Sequence, residues 1–159
     1  MFTFNHIRDF IEDTKYDIII EKAIRNHNKY MLPDNLTKEE SLFCKMIRDM
    51  DKVDIYKQMA INYEIKFDAN EVSEEVLNEF KKEKSIKHEL NTKKSDRVIT
   101  DLALIFDINY NDSFDILVET DNFDLFLSMV EVDKENEKLF KKLKEICFDK
   151  INRGVENGL

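Results

Sequence analysis

TKEESLFCKMIRDMDKVDIY, residues 37–56, is the stretch whose reading decides the fold. It opens on Thr37-Lys38-Glu39-Glu40, a capping box in which the threonine hydroxyl and the glutamate carboxylate answer backbone N–H groups that a first helical turn leaves orphaned. Beyond it Phe43 and Ile47 form one row at a spacing of four, and Leu42 and Met46 form an adjacent row. Residues four apart lie one above the other on a helix, so the stretch predicts a helix from Thr37 to about Tyr56. Four residues past Ile47 the first row reaches Asp51, and a carboxylate thereby extends an apolar stripe. Such a charge is costly to bury unless a cation or a metal meets it.

Working backwards, Ile20, Ile24, His27 and Met31 stack at steps of four, three and four, which predicts a helix over Tyr16 to Met31 with His27 facing inward. It stops at Leu32-Pro33-Asp34-Asn35, because the residue before proline is pushed out of the α region. Working forwards, a more polar middle begins after Tyr63. There Val72, Val76 and Phe80 predict a short amphipathic helix, and the Lys-rich run from Lys81 to Lys94 reads as a flexible, solvated segment. Ser95 is placed to cap a helix carrying Val98, Ile99, Leu102, Ile105 and Phe106, and Asp112 or Ser113 to cap another with Phe114 and Leu117. Leu139, Leu143, Ile146 and Ile151 mark a final helix. No strand pattern and no internal repeat persists, so the expectation is an all-α helical bundle, one structural domain. Within it, residues 1–63 form the core carrying His27 and Asp51, and residues 64–159 form a helical extension packed on it.

Composition narrows the function classes. With 2 glycines and 1 proline in 159 residues, the chain lacks the turn chemistry of a sandwich or barrel. Both glycines, Gly154 and Gly158, lie near the C-terminus, so neither a P-loop nor a G-x-G-x-x-G turn is present. A net charge of -9 argues against nucleic acid or an anionic membrane surface as partner. Apolar runs such as Ile18 to Ile20 and Leu102 to Phe106 are far short of the ~20 residues of a membrane span. The N-terminus lacks a secretory pattern, and a cytoplasmic location is expected. Cys44 and Cys147, with no C-x-x-C, read as buried apolar residues rather than a disulfide or zinc pair.

Two segments carry a resemblance. Ala23-Ile24-Arg25-Asn26-His27-Asn28-Lys29 and Ile47-Arg48-Asp49-Met50-Asp51-Lys52-Val53-Asp54-Ile55 are similar to the A-I-x-x-H-N-K and I-R-D-A-D-K-L-D-I stretches of the HD superfamily of metal-dependent phosphohydrolases. The likeness continues through Leu102 to Tyr110 and Ser113-Phe114. It implies an HD-type bundle acting on a phosphomonoester or phosphodiester, nucleotide-like, with a divalent manganese, magnesium or iron ion. Asp51 would be the metal-ligating aspartate, and His27 a second ligand or phosphate contact. Lys29, Arg48 and Lys52 would stand as catalytic or supporting groups, with Asp49 and Asp54 beside them. The H...HD ligands of the family's front half are missing, since His6, His27 and His88 are each followed by a residue other than aspartate. The resemblance thus implies a domain truncated on its N-terminal side, whose own metal site is weak or incomplete and whose missing ligands another chain supplies.

Bland alternatives stand beside these roles. His27 is also readable as a satisfied core histidine, Asp51 as a helix residue paired with Lys52 or Arg48, and His6 and His88 as solvent-exposed residues. The competing function is a catalytically inactive helical scaffold or dimerisation module derived from an HD domain. Apolar faces on Ile20, Ile24, Phe43 and Ile47, deprived of the family's first helices, would be covered by a homodimer partner or by Met1 to Phe4, Ile7, Phe10 and Ile11 folding back.

Overall fold

The structure, a computed structural model, describes residues 4–62 and 65–156. Met1 to Thr3, the side chains of Phe4 to His6, the expected boundary at 63/64 and Gly158 lie outside the described residues. The described chain is mostly helical and falls into two compact units, Met1–Arg48 and Asp49–Leu159.

The first unit holds a 3-10 helix at Phe4–Asp9, helix α1 at Asp17–Asn26 and the beginning of helix α2 at Lys38–Asn62. The capping box forms as the sequence dictates: Glu40 N donates to Thr37 Oγ1 at 3.2 Å, and Thr37 N donates to Glu40 Oε2 at 2.8 Å. α1 packs on this part of α2, with Ala23 and Cys44 fully buried and the rings of Tyr16 and Phe43 stacked at 5.9 Å. Lys22 pairs with Glu40, and Arg8 with Asp17.

α1 ends five residues before the expected Met31. Side chains near its end compete for backbone carbonyls: the His27 ring lies 2.6 Å from Ile24 O, which a continuing helix would offer to Asn28 N, and Asn26 Nδ2 donates to Lys22 O at 2.6 Å within the last turn. Met31, expected on the buried face, is 69% exposed.

The second unit contains the rest of α2, strand β1 at Ile65–Phe67, α3 at Glu74–Phe80, α4 at Asp96–Leu102, α5 at Asn111–Glu119, α6 at Asn122–Ser128, strand β2 at Val130–Val132 and α7 at Glu137–Glu156. Tyr56, Phe67, Phe80, Ile99, Leu102, Ile105, Leu117, Phe123 and Phe126 form its core. Two short strands accompany the helices of this otherwise α-helical fold: they pair in parallel, with Phe67 opposite Val132. Three residues each is too short for a period-two pattern to register.

Ser73 caps α3, its Oγ accepting from Val76 N at 3.4 Å, and Val72, Val76 and Phe80 are buried as their spacing predicts. The Lys-rich run folds through a 3-10 turn at His88–Leu90, with Ile86 buried and Lys93 Nζ donating to the carbonyls of Asn70 and Val72. Neither Ser95 nor Ser113 acts as a cap. Ser95 Oγ accepts from Asp68 N, while the Asp96 carboxylate accepts from Ser73 N, Thr92 N and Lys93 N at 2.7–2.9 Å. Asp121, at φ 53°, separates α6 from α5, a helix break that the sequence reading did not place.

α7 buries Phe140, Leu143, Cys147, Ile151 and Gly154. A β-carbon at Gly154 would stand 2.2 Å from the Phe114 ring, so glycine is what lets α7 approach α5 there. Cys44 and Cys147 are free and buried, and burial pushes the Cys147 thiol up to about 12.

Candidate functional site

The segment Ile47 to Ile55 lies within α2, where successive residues project in different directions about 100° apart. That geometry separates residues adjacent in sequence into distinct environments.

In the first unit the structure gathers His27, Lys29 and Arg48. The Arg48 guanidinium is buried, and its Nη1 donates to the carbonyls of His27 at 3.3 Å, Asn26 at 3.4 Å and Lys29. The Asn26 and His27 carbonyls are among those that lack i+4 helical partners where α1 ends, and a cation at a helix C-terminus is favoured there. His27 is half-buried at the C-cap of α1, and Lys29 is exposed.

In the second unit Asp49 is fully buried and forms a hub. Its carboxylate accepts from Asn109 N at 2.9 and 3.0 Å, Asn109 Nδ2 at 2.8 Å, Tyr110 N at 2.9 Å and Ser113 Oγ at 3.0 Å. Four donors converge on one carboxylate, which keeps a buried charge satisfied. Two residues on, Asp51 is a third exposed at its side chain, and its Oδ2 accepts from Lys52 Nζ at 3.1 Å. Lys52 is itself buried, with Asp107 Oδ2 4.0 Å from the same nitrogen. Asp54 is exposed. The second unit therefore collects Asp51, Lys52 and Asp107, while His27 belongs to the first unit.

Sequence reading missed Asp107, Asn109 and Ser113 as partners of this segment. Their only signal was membership of the Leu102 to Phe114 stretch, about sixty residues downstream, where spacing says nothing about contact.

A second buried carboxylate lies in α4. Asp101 is 4% exposed, and burial pushes it up to about 6 against the opposing pull of Arg97 and His88. Arg97 Nε stands 3.6 Å from Asp101 Oδ2, too far for a good hydrogen bond. His88 is exposed, as the sequence reading had it.

Among the described residues no three His, Cys, Asp or Glu side chains gather so as to hold a metal ion. Among the described residues, Asp51 and Asp107 are the carboxylates nearest Lys52 Nζ, and no third His, Cys, Asp or Glu joins them. No helix among the described residues is long and apolar enough to cross a membrane. No protein family, curated protein or solved structure compared with the chain matches it.

Proposed function

We propose that the chain is the helical rear portion of an HD-type phosphohydrolase domain, in which Asp51 is the carboxylate offered to a divalent cation and the remaining ligands come from outside this chain. The observation carrying this reading is the contrast within five consecutive residues. Arg48 and Asp49 are buried and hydrogen-bonded to backbone, whereas Asp51 keeps a third of its side chain exposed and is held by a buried lysine. Anchored neighbours beneath one accessible carboxylate are the arrangement a ligand needs, because ligand orientation depends on groups packed behind it. His27 and Lys29 join the reading through the resemblance alone. The substrate class it implies is a nucleotide-like phosphoester, attacked by a water whose pKa a fully ligated metal would depress.

A second reading, an inactive helical scaffold or dimerisation module, is favoured by exposed apolar side chains on α2: Leu42, Met46, Ile47 and Met50.

Manganese binding followed by electron paramagnetic resonance separates the two. The ligand reading expects weak binding that Asp51→Ala abolishes, together with little or no phosphoester turnover by the chain alone. Binding unchanged by Asp51→Ala removes Asp51 as a ligand and leaves the scaffold. Sedimentation then reports whether the scaffold is a dimer.

A further inference from the structure

The Asp49 hub is entirely engaged, and the Asp51 group belongs to the site already proposed. A different cluster lies in the second unit, beside α7. A hollow of about 270 Å³ is lined by Glu83, Asn109, Asn111, Phe114, Lys150 and Arg153. Two cations and one anion face it in a chain of net charge -9. Lys150 Nζ sits over the Phe114 ring, 5.2 Å from its centroid, and no described carboxylate forms an ion pair with it. Arg153 Nη2 donates to Glu83 Oε2 at 2.6 Å across seventy residues of sequence. Glu83 adopts φ 51°, the left-handed conformation that residues other than glycine and asparagine rarely take. It does so in the turn that follows α3, where its N–H donates to Phe80 O at 3.0 Å.

The geometry points to a binding site for a small phosphate-bearing molecule, in which Glu83 is a resident anion that occupies Arg153 until the ligand displaces it. The guanidinium, anchored through Nε on the Asp149 carbonyl at 3.1 Å, presents to the Glu83 carboxylate an N–H edge of the kind that recognises phosphate. Lys150, whose ammonium is held over the buried Phe114 ring, supplies a second positive charge, and Asn111 an amide donor. The volume falls just below that of ordinary ligand pockets, which restricts the ligand to a phosphate with a small substituent. A neighbouring hollow of about 510 Å³ shares Glu83 and Arg153 but adds Asp149 and Glu156, so the phosphate belongs on the Lys150 side. The site is independent of the metal reading of Asp51.

Amide chemical shifts of the full chain are to be followed on titration with inorganic phosphate and with phenyl phosphate at fixed ionic strength. Wild type is expected to bind in the millimolar range with shifts centred on Lys150 and Arg153. Glu83→Gln is expected to tighten binding at least fivefold by releasing the guanidinium, and Glu83→Gly, which also accommodates the left-handed turn, is expected to do the same. In the Glu83→Gln background, Arg153→Gln and Lys150→Gln are each expected to weaken binding of both ligands at least fivefold. No gain in either Glu83 variant, or binding indifferent to Arg153→Gln, overturns the site. These side chains lie at the surface, and an unchanged melting temperature checks that each variant folds.

Discussion

Replacing Asp101 by asparagine should stabilise the protein at neutral pH and do nothing at acid pH. Asp101 is 4% exposed, and burial raises its pKa from the ordinary 3.8 to about 6. A group whose folded value is raised binds its proton more tightly in the folded chain, so the folded state is favoured while the carboxyl is protonated. That contribution is fully present below about pH 4. It is lost as pH rises through about 6, beyond which the ionised carboxylate is carried in the fold at full cost. Roughly two pKa units at 1.36 kcal/mol each set that cost at about 3 kcal/mol. Arg97, 3.6 Å away and half exposed, is already included in the net shift. Asp101→Asn keeps shape and volume and removes the titration. Urea unfolding followed by circular dichroism should therefore give a gain of about 1–3 kcal/mol for the variant at pH 8, shrinking to near zero at pH 4. A gain equal at both pH values, or a loss at pH 8, refutes the assignment of Asp101 as a buried charge that Arg97 offsets only in part.

Two further substitutions probe the supports of the fold. Asp49→Ala leaves donors of Asn109, Tyr110 and Ser113 facing an empty site, and a loss of about 4 kcal/mol or more is expected, with Asp49→Asn losing less because one acceptor survives; a loss under ~1 kcal/mol in the same urea assay discards the hub. Gly154→Ala drives a methyl to 2.2 Å from the Phe114 ring and should destabilise by about 2 kcal/mol, recovered in part by Phe114→Leu; a neutral Gly154→Ala shows that α7 can move aside.

Much of the fold was legible because its signals are local. The Thr37 capping box, the Val76 and Phe80 pair behind Ser73, and the Leu143 to Ile151 row of α7 each state an element within a few residues. What was not legible is set by partners far along the chain. Spacing alone carried the first helix to Met31, whereas Asn26, His27 and Arg48 end it at Asn26. Ser95 and Ser113 have the chemistry of caps, yet their hydroxyls serve Asp68 and Asp49, which no period reveals. At the site, Asp51 beside Lys52 was readable from adjacency. The burial of Lys52, the approach of Asp107 and the four donors on Asp49 required the fold.

The parallel pairing of β1 with β2 has a consequence during synthesis. Ile65 pairs with Val130, and 130 − 65 leaves 65 residues to be translated before the first strand meets its partner. At roughly 5–20 residues per second that interval is about 3–13 s, during which the backbone donors of β1 and the Phe67 side chain have nothing to close against. Asp49 waits almost as long for Asn109. The nascent chain thus carries an open strand edge and an unsatisfied carboxylate through about two fifths of its elongation. Such a strand edge is a target for holding chaperones, and its exposure lengthens with any pause between the codons for Phe67 and Val132.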